Sequence, residues 1–157
     1  MAATKGTLRK IKIERQKRSM LMDSPALNSE TRTITFPFSS EFPVERWFGN
    51  EVLSHEPGAA DLSRLNDAAP LLYNHDPNQL IGVIEKAYIE NGRGYATARF
   101  SENPLGQQVF RDVEDGILRN VSFGYRINQM ETRATEGSDL ETFVATSFQP
   151  YEISIVA

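Results

Sequence analysis

The chain has 157 residues and a net charge of −4, a length that suits one domain. Hydrophobic residues make up 39% of it and aromatics 10%, enough for one packed core, but no apolar run approaches the roughly 18 residues that cross a bilayer. There are two histidines, His55 and His75, and no cysteine, which excludes disulfides, thiolate nucleophiles and cysteine-ligated zinc.

Charge is unevenly placed. Residues 1–20 carry seven cations and one carboxylate, net +6, so the remainder of the chain carries −10. The basic segment is too charged for the apolar part of a signal peptide, and a soluble, cytosolic protein is the expectation. Residues 1–28 read as a basic, disordered N-terminal arm, ending in the breakers Ser24-Pro25 and Asn28. Such an arm either contacts an anionic surface, nucleic acid or acidic protein, or serves as a solubilising extension. The body is expected over residues 29–157.

Thr31 to Phe36 alternates and is β-branched, so it reads as a strand that Pro37 either ends or places at a sheet edge. Residues 39–50 are turn-rich, with Trp47 and Phe48 available to the core. Glu51 to His55 is short and ambiguous, and Ala59 to Asn66 reads as a helical turn or irregular loop. Leu71 to His75 reads as a strand ending at Asp76-Pro77. Leu80 to Glu90 and Tyr95 to Phe100 read as partner strands joined at Asn91-Gly92, a pair that tolerates the positive φ of tight hairpins. Asn103-Pro104 suits a helix start and Gly116 a stop, with Leu105, Val109, Phe110, Val113 and Ile117 at helical spacing.

Beyond the helix, Val121, Phe123, Tyr125 and Ile127 alternate with Asn120, Ser122, Gly124 and Arg126, which puts Ser122 on the face opposite the apolar row. Residues 130–140 read as a polar loop, followed by strands over 142–148 and 151–156. In the last of these Tyr151, Ile153 and Ile155 share one face, Glu152 and Ser154 the other. The sum is an α+β fold: a mainly antiparallel β-barrel-like domain with one clear helix over about 104–116.

A serine hydroxyl becomes nucleophilic when an imidazole takes its proton and a third group orients that imidazole. Ser122 and His75 are candidates for the first two parts, although taken singly each is an ordinary strand residue. The third part has three candidates: Asp76, whose strand neighbour position points it away from the His75 ring, His55, and Glu152 on the polar face of an apolar strand. Other chemistries fit less well. Asn120 stands where a Gly-x-Ser-x-Gly elbow needs its first glycine. The chain has no His-Glu-x-x-His pair, and Asn91-Gly92-Arg93-Gly94 lacks the ending of a phosphate loop.

Four segments in order carry a resemblance: Pro70 to Asp76, Ile81 to Ile84, Asp115 to Tyr125 and Tyr151 to Val156, supported upstream by Trp47-Phe48-Gly49 and Asp61 to Asn66. Over about residues 30–157 the chain resembles the HK97-type prohead (capsid maturation) serine proteases of tailed bacteriophages. The resemblance implies a fold related to the herpesvirus assemblins. It also implies serine endopeptidase activity inside the immature capsid, in the host bacterial cytoplasm. The partners implied are the major capsid protein, its scaffold segment and further copies of the protease; no cofactor, metal or membrane is implied, and nucleic-acid contact would fall to the basic arm. Carried over by motif, the histidine is His75, the nucleophile Ser122 and the acid Glu152, while the histidine that fills the third role in assemblins keeps His55 in view. The family continues past the last strand where this sequence stops at Ala157, so a truncated, processed or capsid-fused end is expected. The alternative is a non-catalytic capsid assembly or scaffold-binding module.

Overall fold

The computed structural model describes residues 4–9, 15–134 and 141–157. In chain order the elements are β1 (Thr4–Arg9), β2 (Gln16–Leu21), β3 (Ala26–Asn28), β4 (Thr33–Ser40), β5 (Val44–Arg46), β6 (Gly49–Leu53), β7 (Pro70–Tyr73), β8 (Asp76–Glu90), β9 (Arg93–Phe100), α1 (Pro104–Glu114), β10 (Asn120–Ala134) and β11 (Thr142–Val156). The strands form one curled, barrel-like sheet in the order β1-β10-β11-β7-β8-β9-β4-β3, with β2 also on β10 and the β5–β6 hairpin on β11. Pairing is antiparallel except where β11 runs parallel to β6 and β7. Among the described residues no helix is long and apolar enough to cross a membrane.

Local sequence accounts for most of these elements. Asn91 and Gly92 take φ of 50° and 72° at the β8–β9 turn, the positive values a two-residue hairpin requires. Asn103 caps α1, its Oδ1 accepting the Gly106 N–H at 2.6 Å, and Pro104 opens the first turn. Val109 and Val113 face the core, and Gly116 follows the helix end with φ 73°. Ile117, expected on the apolar stripe, lies past the last turn and is 68% exposed. Inside the curl, Ile34, Phe36, Phe38, Phe100, Phe123 and Ile153 belong to one buried cluster.

Three further expectations are revised. Trp47 sits at the tip of the β5–β6 hairpin and is 84% exposed; only Phe48 packs inward, against Phe143. The polar stretch after Met130 is strand as far as Ala134, because Met130 to Arg133 pair with Ala145 to Thr142; residues 135–140 lie outside the described residues. Within the expected arm, the described segments Thr4–Arg9, Gln16–Leu21 and Ala26–Asn28 are strands. β1 pairs with the far end of β10, β2 with its near end and β3 with β4; residues 1–3 and 10–14 lie outside the described residues.

The inward face of β2 explains why charge did not keep it in solvent. Arg18 is buried against Glu51, donating to Oε1 from Nε at 3.2 Å and from Nη2 at 3.0 Å, while Nη1 reaches the Phe42 carbonyl at 2.7 Å. The Tyr125 hydroxyl donates to the same carboxylate oxygen and accepts from Arg46 Nη2 at 3.1 Å. Burial pushes the Tyr125 hydroxyl up to about 12, so it remains a donor throughout the neutral range. Removing one partner of a buried ion pair strands the other. Glu51→Ala is therefore expected to lower unfolding free energy by about 3 kcal/mol or more, read as a shifted urea midpoint. A midpoint within error of the parent would contradict this account of β2.

Candidate active site

β7 and β8 reverse through Asn74 and His75, with φ of 52° and 60°, while Tyr73 faces Asp76 across the turn. Positive φ at both central residues defines the primed two-residue turn that matches strand twist. Asparagine and histidine enter the left-handed region more readily than most side chains, at about 1 kcal/mol or more per residue. His75 is thus a turn residue rather than the strand end expected from the sequence. Asp76 is kept from its ring by the turn as well, and its Oδ1 accepts the Asn78 N–H at 2.9 Å.

Strand β11 holds this turn in place. The Asn74 N–H donates to the Ile155 carbonyl at 3.0 Å, the His75 N–H donates to Ser154 Oγ at 3.0 Å, and Asn74 Oδ1 accepts the Ala157 N–H at 3.2 Å. All three contacts come from the segment that runs parallel beside β7.

Register across the sheet sets the other groups. Ser122 lies between Ser19 on β2 and Ser154 on β11, and Gly124 lies between Lys17 and Glu152, so these two rows share one face. Ser122 is 2% exposed; with strands on both its edges, Oγ is approached only from the face where the imidazole lies. His75 Nε2 stands 2.7 Å from Ser122 Oγ, and Nδ1 stands 2.6 Å from Glu152 Oε2. An ionised carboxylate only accepts, so it places the ring proton on Nδ1 and leaves Nε2 to accept the Ser122 O–H. Ser154 Oγ donates to the other oxygen, Glu152 Oε1, while accepting from the His75 backbone. One hydroxyl thereby ties the acid to the turn that carries the base. Sequence reasoning put Ser154 on the face of Glu152, two residues on, without giving it a part; alternation was the available signal.

Tyr151 departs from its expected face. The β10–β11 register shifts between Gly124 and Tyr125, whose partners are Glu152 and Pro150, so Tyr151 is the unpaired residue of a bulge. Its ring lies over Gly124, where a Cβ would come within 2.9 Å of the ring and hydroxyl. The guanidinium carbons of Arg15 and Arg126 stand 5.2 Å and 5.8 Å from that ring's centroid. These groups, with Lys17 and Arg64, border a cleft of about 620 Å³ that His75 and Glu152 also line.

His55 lies elsewhere. Its Nδ1 meets the Leu53 carbonyl at 2.9 Å and its Nε2 meets Ser39 Oγ at 2.8 Å, with the ring beside Phe148. The carbonyl requires Nδ1–H, and in the neutral ring that burial favours, Nε2 accepts from the Ser39 hydroxyl. Burial lowers the His55 pKa from 6.5. No group of three or more acidic or histidine side chains among the described residues is arranged to hold a metal ion.

A serine, an imidazole and a carboxylate in one hydrogen-bonded line, on a barrel-like β-domain, define the class of arrangement found here. The family model for the caudovirus prohead serine protease matches residues 41–157, and the chain belongs to that family. A major capsid protein of Halomonas phage phiHAP-1 is 48% identical over 123 residues, which are 76% of this chain and 20% of that protein. The chain therefore spans about a fifth of the length of this curated relative. Among solved structures, the capsid assembly protease of bacteriophage T4 has a similar fold, with a TM-score of 0.56 at 14% identity, covering 92% of this chain and 99% of that one.

The neutral, buried state of His55 generates a pH dependence. Its folded pKa lies below the unfolded 6.5, so the unfolded chain binds more protons through that window. Its contribution to stability is present above pH 6.5 and is lost as pH falls through the lowered folded value. The thermal midpoint should fall between about pH 7 and pH 5, and His55→Gln should flatten that slope. An unchanged slope in the variant would reject the assignment.

Proposed function

We propose that the chain is a serine endopeptidase that cleaves scaffold and capsid-precursor segments, and itself, inside the immature phage head. The observation that carries the reading is the continuous line from Ser122 Oγ through both His75 nitrogens to Glu152. Family membership supports it. So does the capsid relative, in which the matching stretch is a minor part of a longer protein named for the capsid, so that protease and substrate would share one polypeptide.

In the proposed reaction His75 Nε2 takes the Ser122 proton as Oγ bonds to the scissile carbonyl carbon. The tetrahedral species collapses with rupture of the C–N bond, and His75 returns the proton to the leaving amine. Water, deprotonated by His75, then attacks the acyl-serine and releases the new carboxylate, restoring the Ser122 hydroxyl. Glu152 orients the ring and stabilises the imidazolium while it lasts. Ser154 is a positioning residue. It fixes Glu152 Oε1 and the His75 backbone at once, so the acid and base cannot drift apart independently.

Two measurements test this. Ser122→Ala is expected to lower kcat by about a million-fold, to leave capsid precursors at full mass in assembling heads, and to abolish fluorophosphonate labelling. Normal processing by that variant would refute the proposal in favour of a non-catalytic assembly module. Ser154→Ala loses two hydrogen bonds, to the His75 N–H and to Glu152, so kcat should drop about ten- to a hundred-fold with KM little changed. Ser154→Thr, which keeps the hydroxyl, should recover part of that loss. Equal effects on kcat and on thermal stability, with no recovery by threonine, would reduce Ser154 to a structural role.

A further inference from the structure

The cleft beside His75 carries a charge pattern that peptide hydrolysis does not itself require. Arg15, Lys17, Arg64 and Arg126 line it, and none makes an ion pair with a described residue. Among the described residues the one carboxylate in the lining is Glu152, whose oxygens already meet His75 and Ser154. Two of these cations, Arg15 and Lys17, come from the basic segment, and the other two, Arg64 and Arg126, come from a remainder that carries −10. Arg15 and Arg126 share the Tyr151 ring at 5.2 Å and 5.8 Å, which brings two like charges onto one aromatic support. A carboxylate placed between them relieves that repulsion and accepts paired N–H bonds from either fork.

Register relates the cluster to the serine. Lys17 pairs with Gly124, two residues along β10 from Ser122, and Arg126 is two residues further on the same strand. At about 3.3 Å per residue these lie some 7 and 13 Å of strand from Ser122. An extended peptide has nearly the same rise, so its side chains two to four residues from the attacked bond fall beside these cations. Among the described residues Tyr151 is the one phenyl-type ring in the lining and it packs against guanidinium groups, while the His75 imidazole is held edge-on between Ser122 and Glu152, which leaves no free ring for base stacking. The cleft is also continuous with His75 and Glu152. Both points favour a peptide over a nucleic acid.

We propose that this cleft is a substrate subsite that selects acidic side chains two to four residues from the bond attacked by Ser122. The inference rests on the protease reading, and the experiment separates the two. Full-length Ser122→Ala chain, which binds without cleaving, is titrated with fluorescent dodecapeptides carrying glutamates or glutamines at matched positions. Glutamate peptides should bind at least about ten-fold more tightly, as expected for charge-assisted hydrogen bonds. The preference should shrink with added salt and vanish in Arg15→Gln/Arg126→Gln; both side chains are exposed, so the fold should be unaffected. With active chain and a proteome-derived peptide library, cleaved sequences should be enriched in Asp and Glu two to four positions from the bond, on one side of it. Equal binding of the two peptide sets overturns the subsite, as does an enrichment that the double variant retains. Tighter binding of a single-stranded oligonucleotide that displaces the peptide also overturns it. A binding preference without any Ser122-dependent cleavage overturns the protease reading and leaves the cleft as a binding site for acidic peptides.

Discussion

The site depends on one docking contact, that of the β7–β8 turn against the last residues of β11. Two consecutive left-handed residues, Asn74 and His75, are costly in isolation. They persist because the Ile155 carbonyl and the Ser154 hydroxyl accept their N–H groups. The same strand carries Glu152, so the segment that fixes the backbone of His75 also presents the carboxylate to its ring. His75 and Glu152 are therefore positioned relative to one another by a single strand, and Ser122 is brought to them by the pairing of β10 with that strand.

The N-terminal segment enters this arrangement from the other side of β10. Through β2 it contributes Arg18 to a buried network with Glu51 and Tyr125, and Lys17 to the cleft. Alternation along β2 makes both possible, because adjacent cations face opposite sides of the sheet. The inward Arg18 is stabilised by a carboxylate and carbonyls, while the outward Lys17 makes no ion pair with a described residue at the rim. Net charge alone treats these cations as equivalent and so reads the segment as an arm. Their difference arises only when a buried glutamate, distant in sequence, lies beneath one of them.

Much of the fold was legible because it follows from local chemistry. The Asn91-Gly92 turn, the cap at Asn103 and the glycine after α1 are decided within a few residues, and the apolar row from Val121 to Tyr125 follows from strand period. Expectations failed where a distant partner overrode the local pattern. Two strands were expected over 142–148 and 151–156, yet β11 runs through Pro150 as one strand by taking a bulge opposite Tyr125, and that bulge turns Tyr151 onto the cleft face. Trp47 looked like core, but its place at a hairpin tip leaves it in solvent.

For the site, the sequence by itself determined which residues could act. Two histidines, the serines Ser122 and Ser154 opposite apolar rows and one glutamate on the polar face of a strand leave few combinations, and the family resemblance selected Ser122, His75 and Glu152 from them. Tertiary structure decided how they meet: which histidine faces the serine, which acid orients it, and that Ser154 joins the two. Periodicity assigns a side chain to a face of its own strand. Only the pairing of strands, and the bulges that shift it, determines which side chains on that face come within hydrogen-bonding distance.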